Sequence, residues 1–150
     1  MAGTALVTGG AGFIGSHLAE LLLDEGWEVY ALDDLSTGSE ANLSHIYRNP
    51  YFHLSVESVL ATSVVSELVH KADVVFHLAA AVGVRLIVER PGHTLLTNVR
   101  GTENVLEYAG RFGKPVLIAS SSEVYGDHPG EDLPLREDAR RIYGPTTAKR

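Results

Sequence analysis

The chain is 150 residues long, enough for one domain with a core of its own. Apolar residues at 45% and charged ones at 21% are ordinary globular values, and a formal charge of −7 argues against a nucleic-acid or anionic-membrane surface. The absence of cysteine excludes a disulfide framework and a thiolate zinc site. No apolar run is long enough to span a bilayer and the first residues lack a signal-peptide pattern, so the expectation is a cytoplasmic protein with neither membrane nor nucleic-acid partners.

Thr4-Ala5-Leu6-Val7-Thr8 reads as a buried parallel strand. Gly9-Gly10-Ala11-Gly12-Phe13-Ile14-Gly15 follows, with Gly10, Gly12 and Gly15 spaced as G-x-G-x-x-G and Gly9, Gly12 and Gly15 as G-x-x-G-x-x-G. A pyrophosphate demands glycine at such positions, because any side chain would hold the backbone away from it. The free N–H groups and the positive end of the next helix can then take the anionic charge. That helix is predicted over residues 13–25, with Ile14, Leu18, Leu21, Leu22 and Glu25 on one side and Gly26 as its stop. Residues 28–32 return as a strand ending at Asp33. A strand before, a helix after and an acid about 20 residues on give the glycine run the context of a dinucleotide fingerprint. A carboxylate there accepts the ribose hydroxyls and repels a 2′-phosphate, and no Arg lies between Gly26 and Glu40. NAD is therefore favoured over NADP.

Asp34-Leu35-Ser36-Thr37-Gly38 forms a polar loop, in which Ser36, Thr37 and Gly38 either wrap an adenosine or serve as a solvated connector. A short helical turn is expected over 40–46, then a strand over 51–56 that includes Ser55 and Val56. Residues 62–71 read as a helix with Val64, Val65, Leu68 and Val69 inward, and 73–78 as a strand. After Leu78, the small Ala79 and Ala80 allow either a flat ligand at the sheet edge or close helix packing. Residues 82–89 are helix or loop, interrupted by Pro91. A long helix is predicted over 92–112, with Leu95, Val99, Thr102, Leu106 and Ala109 as one stripe and Asn98, Val105 and Phe112 as another. Gly113 ends it, and 116–120 is a fifth strand, so alternating strands and helices call for a parallel sheet of right-handed βαβ units covered on both faces. These elements make 1–126 the nucleotide-binding domain, while 127–150 reads as loop. The seven histidines show no metal-ligand spacing, no metal is expected, and His17 and His77 are read as structural.

Five segments together resemble the extended short-chain dehydrogenase/reductase family, in particular its nucleotide-sugar epimerases, dehydratases and decarboxylases. They are Thr8 through Leu18, Asp33 through Gly38, Phe76-His77-Leu78-Ala79-Ala80, Thr97 through Thr102, and Ser120-Ser121-Ser122-Glu123-Val124-Tyr125-Gly126. The resemblance implies a doubly wound Rossmann sheet of order 3-2-1-4-5 and a bound NAD that transiently oxidises a UDP-sugar. It implies cofactor contacts from Gly9, Gly12, Phe13, Ile14, Gly15, Asp33 to Gly38, Ser55, Val56, Leu78, Ala79, Ala80, Asn98 and Ser120. Ser121 takes the role of the hydroxyl that bonds the reacting oxygen. Ser122-Glu123 is similar to the pair in UDP-glucuronate decarboxylases, with Glu123 handling a proton or positioning the sugar, and 4-epimerisation stays an alternative outcome. Ser55 stands where many relatives carry an Asp that binds adenine.

The family's Tyr-x-x-x-Lys pair is absent, since the residues four after tyrosines 30, 47, 51, 108, 125 and 143 are Asp34, Tyr51, Ser55, Phe112, Pro129 and Thr147. Tyr143 and Lys149 stand six apart, on different faces of a helix. The chain therefore reads as the first half of an enzyme, inactive alone, lacking its catalytic helix, last strands and substrate domain. The alternative is a free-standing NAD-binding or interaction module. With its fifth strand at an edge and its long helix uncovered, the chain is expected to self-associate, as a homodimer or otherwise.

Overall fold

A computed structural model describes residues 2–126 and 134–140. It divides into two compact units, Met1–Ile118 and Ala119–Arg150. The first unit runs β1 (Thr4–Thr8), α1 (Phe13–Asp24), β2 (Glu28–Asp33), a 3-10 turn at Glu40–Leu43, β3 (Phe52–Val56), α2 (Thr62–Lys71), β4 (Val74–His77), α3 (Val84–Glu89), α4 (Pro91–Phe112) and β5 (Val116–Ile118). In the second unit, the described residues include a 3-10 turn at Ser122–Tyr125. Most of the loop predicted over 127–150 lies outside the described residues.

The strands form one five-stranded parallel sheet in the order β3-β2-β1-β4-β5. Because successive side chains of a strand point to opposite faces, β1 feeds two cores. Ala5 and Val7 join Ala19 and Leu22 of α1, while Leu6 joins Val65, Leu68 and Val69 of α2 and Val105 and Ala109 of α4. Burying a Leu or Val of this kind stabilises by about 1.5–3 kcal/mol before entropy is counted. Both faces are thus covered, and the central strands can be apolar throughout.

Glycines close the two longest helices. Gly26 (φ 80°) lets its own N–H reach Leu23 O and that of Trp27 reach Leu22 O, at 3.0 and 2.9 Å. Gly113 (φ 66°) does the same for α4, where Lys114 N–H donates to Ala109 O at 2.8 Å.

Two predicted helix faces need correction. On α1, Ile14 and Leu21 are exposed, and the buried residues are Gly15, Ser16, Ala19 and Leu22. Small residues at 15 and 19 let the helix approach the sheet closely, and that approach sets the face. On α4, Thr94, Gly101, Val105 and Ala109 are buried, while Leu95 (64% exposed), Val99 (56%) and Leu106 (45%) face outward. The cause is a close contact at Gly101, where a Cβ would stand 2.6 Å from Val59 Cγ2, reinforced by a 3.0 Å bond from Asn104 Nδ2 to Val59 O. The fifth strand is also shorter than the predicted 116–120, and Leu117 and Ile118 are exposed at the sheet edge. No helix among the described residues is long and apolar enough to cross a membrane.

Candidate functional site

In a parallel sheet all carboxyl ends lie along one edge, and a ligand crevice opens where the strand order reverses, here between β1 and β4. The glycine turn sits there. Gly9 has φ 71°, and its N–H donates to Leu32 O at 2.7 Å. A Cβ on Gly9 would lie 2.9 Å from Ala79 N, and one on Gly15 would collide with the Gly9 carbonyl. At Gly12, in contrast, the nearest atom to an added Cβ is Gly9 O at 3.2 Å. The first two glycines are packing requirements of the turn itself. Gly12, the N-cap of α1, keeps the outer surface of the turn free of a side chain, and no side chain caps the helix. The amides of the first turn of a helix have no partner within it, and no acidic residue occupies that turn. Phe13 and Ile14 are 78% and 67% exposed, with the Phe13 ring edge-on to His17 at 5.1 Å.

Asp33, at the end of β2 and 9% exposed, binds back onto the turn. Its Oδ2 accepts Ala11 N–H at 2.9 Å, and its Oδ1 accepts Leu35 N–H at 2.9 Å. The Ala11 carbonyl is held as well, by Ser39 N–H at 3.0 Å and Asn42 Nδ2 at 2.8 Å. Both polar groups of a fully buried residue in the turn are thus satisfied by residues 33–42. A carboxylate has about four acceptor positions, so Asp33 can take further donors. Leu35 adopts φ 58°, the one positive value outside glycine among the described residues, where Asp33 and Asp34 accept the amides two residues on. Ser36 and Thr37 are exposed, while Gly38 packs against Ala11, a position where a Cβ would lie 2.9 Å from Asp33 Oδ1.

Register places Ser55 beside Leu32 and Val56 beside Asp33, with Ser55 half-buried and Val56 exposed. At the end of β4, Leu78 and Ala79 are half-buried and Ala80 is exposed. The Asn98 side chain, on α4, is turned to this segment: its Oδ1 accepts Ala81 N–H at 2.7 Å and its Nδ2 donates to Ala81 O at 3.3 Å. His77 is buried, bonds Thr8 and Thr102, and burial pushes its imidazole below the ordinary pKa range. Gly9, Gly12, Phe13, Ile14, Gly15, Asp33 to Gly38, Ser55, Val56, Leu78, Ala79, Ala80 and Asn98 all belong to the first unit. Ser120 and Ser121, both exposed, belong to the second, in which Ser122 and Glu123 open the 3-10 turn and Val124 N–H donates to Ser121 O at 3.2 Å.

Sequence reasoning missed Ala11, Asn42, Thr102 and Asn104 as residues that organise this edge. Only Thr102 carried a signal, a hydroxyl within an otherwise apolar helical stripe. For Asn42 and Asn104 the partners are backbone atoms 31 and 45 residues away, which no local pattern announces.

The NAD dependent epimerase/dehydratase family matches residues 5–148. The chain is 42% identical over 143 residues to a UDP-N-acetyl-alpha-D-glucosaminuronate decarboxylase of Bacillus cytotoxicus, covering 95% of this chain and 43% of that protein. It is 41% identical over 130 residues to UDP-glucuronic acid decarboxylase 1 of Arabidopsis thaliana, covering 85% of this chain and 29% of that one. The chain thus spans less than half the length of these curated relatives. The crystal structure of UDP-glucose 4-epimerase from Brucella ovis in complex with NAD aligns with a TM-score of 0.80 and 31% identity, over 95% of this chain and 42% of that chain. Matched over nearly its whole length, and folded as a five-stranded sheet of order 3-2-1-4-5 with a glycine turn at the reversal, the chain belongs to the NAD dependent epimerase/dehydratase family.

Proposed function

We propose that residues 1–150 are the NAD-binding part of a nucleotide-sugar-modifying enzyme, of the UDP-glucuronate decarboxylase or UDP-sugar 4-epimerase type. One observation carries the reading: a turn with no outward side chain, an uncapped helix start and a nearly buried carboxylate meet at the edge where the strand order reverses. The residues fit the cofactor. The Gly12 amide donates to Gly9 O at 3.1 Å, those from Phe13 to Gly15 at the helix start can receive a pyrophosphate, and Asp33 has acceptor capacity left for ribose hydroxyls. Ser36 to Gly38 and Ser55-Val56 border the adenosine half, and Leu78 to Ala80 with Asn98 border the other. When bound, NAD supplies a reversible hydride acceptor for C4 of the sugar. Ser121 hydrogen-bonds the reacting oxygen, and Ser122 and Glu123 position the sugar or move its proton. The exposed Leu95, Val99 and Leu106 of α4, with Leu117 and Ile118 of β5, support self-association of the chain.

Residues 1–150 contain no tyrosine four positions before a lysine, so we infer that they bind NAD without turning over a sugar nucleotide. Isothermal titration with NAD tests the first claim: saturable binding is expected, and no uptake at millimolar NAD would defeat it. Release of CO₂ from UDP-glucuronate, or epimerisation of a UDP-hexose, by these residues alone would defeat the second.

A further inference from the structure

The ends of β1 and β4 meet α4 through a chain of hydrogen bonds whose direction follows atom by atom. Thr8 Oγ1 accepts Ala79 N–H at 3.1 Å and shares Leu78 N–H, at 3.2 Å, with the Thr8 carbonyl at 3.1 Å. The direction is fixed at the α4 end: the Thr102 hydroxyl has one proton, and Asn98 O, 2.7 Å away, can only accept it. Thr102 Oγ1 is thus the acceptor toward His77 Nε2 at 3.0 Å, and Nε2 carries a proton. In a neutral imidazole Nδ1 is then the bare nitrogen, and it accepts the Thr8 hydroxyl proton at 2.8 Å. The Asn98 side chain closes the circuit on both polar groups of Ala81. A doubly protonated ring would aim a second N–H at a Thr8 hydroxyl that already accepts Ala79 N–H and a share of Leu78 N–H, and would leave the Thr8 proton without its acceptor.

We propose that His77, held as the neutral Nε2–H tautomer, is a positioning residue for the dinucleotide site, fixing the backbone of residues 78–81 between the glycine turn and α4. The proposal deepens the NAD-binding reading and rests on it for its consequence. Residues 78–81 belong to neither strand nor helix, so beyond the one bond from Leu78 N–H to Thr8 O at 3.1 Å regular structure does not place them. The amides of Leu78 and Ala79 are gathered by Thr8 and that of Ala81 by Asn98, and His77 is the link between those two. The placement matters because Ala79 N is the atom that a Cβ on Gly9 would meet first, at 2.9 Å. A shift of Ala79 by a few tenths of an ångström changes the fit of the glycine turn itself. A buried imidazole costs desolvation and is tolerated only with its hydrogen bonds made, and here both nitrogens are used.

Two measurements test this. In protein labelled with ¹⁵N-histidine, a long-range ¹H–¹⁵N spectrum at pH 7.5 should show ring 77, assigned by its loss in His77→Gln, with a bare Nδ1 and a protonated Nε2. An Nδ1–H tautomer or a charged ring overturns the proposal. Thr102→Val keeps the side-chain shape but removes the acceptor of the Nε2 proton. Amide exchange at Ala79 and Ala81 should then quicken about tenfold while Val29 and Ala31 in β2 keep their rates, and NAD affinity should fall severalfold. Thr102→Ser, which retains the hydroxyl, should restore both. Unchanged rates at Ala79 and Ala81, or equal acceleration in β2, overturn the positioning role. If wild-type protein takes up no NAD, the dinucleotide reading fails, and the ring spectrum and exchange rates still decide whether His77 positions 78–81.

Discussion

Asp33→Ala separates two duties of one carboxylate. The structure gives Asp33 a structural task, because Oδ2 holds Ala11 N–H and Oδ1 holds Leu35 N–H, each at 2.9 Å. Ala11 is 0% exposed, so its amide finds no water when the carboxylate is removed. An orphaned buried donor of that kind costs about 2 kcal/mol. Leu35 is half-buried, its amide can turn to solvent, and losing that bond costs about 1 kcal/mol. The sum, about 3 kcal/mol, should lower the urea midpoint by about 1–3 M with the slope unchanged, given slopes of roughly 1–3 kcal/mol/M. Asp33→Asn keeps one acceptor oxygen, which can stay on Ala11, and should lose about half as much. The ligand duty is read separately, by titrating NAD under conditions where both variants are folded. Loss of charge-assisted bonds to the ribose should weaken binding about 10- to 100-fold and narrow the preference for NAD over NADP. A midpoint equal to wild type would refute the clamp on Ala11, and equal NAD affinity in the folded variant would refute the ribose assignment.

Gly15→Ala drives a methyl into the Gly9 carbonyl, so the turn must open. Thermal unfolding should show a loss of about 1–3 kcal/mol and NAD titration little residual heat, and a variant that binds like wild type would show that the turn yields freely. His77 bonds hydroxyls through both ring nitrogens, and its pKa lies below the ordinary 6.5 because of burial. The unfolded chain therefore takes up the proton first as pH falls. Its stabilising contribution is present above pH 6.5 and is lost as pH drops toward the lower folded pKa, at no more than about 1.4 kcal/mol per pH unit. Urea midpoints between pH 7.5 and 5 should fall less steeply in His77→Asn than in wild type, and parallel curves would contradict the assignment. Sedimentation velocity should show concentration-dependent association that Leu95→Lys with Leu106→Lys weakens, since both side chains are exposed. A monodisperse monomer at high concentration counts against it.

Local chemistry was enough to place the strands, the glycine turn and Asp33. Thr4–Thr8 has no polar interior to satisfy, Gly9 to Gly15 has a spacing that few other demands produce, and an acid ends the next strand. Right-handed crossovers leave few orders for the sheet, and the one implied by the family resemblance is the one observed. Helix faces were less legible. On α4, apolar or small residues occupy two neighbouring stripes, and periodicity cannot choose between them. The choice fell to Gly101, whose missing side chain admits Val59 and turns Leu95, Val99 and Leu106 outward. The same limit applies to α1, where Gly15 and Ala19 outrank Ile14 and Leu21 because close approach buries more than bulk does.

The polar architecture of the site was least legible of all. Thr8 and His77 are 69 residues apart, His77 and Thr102 are 25, and Asp33 reaches back 22 to Ala11. The sequence determined that a dinucleotide-type turn and its acid exist, because glycine spacing and strand periodicity are local demands on the backbone. Which atoms hold that turn in place was decided by tertiary structure alone, because a hydrogen bond needs two groups within about 3 Å and folding, not spacing along the chain, brings them there.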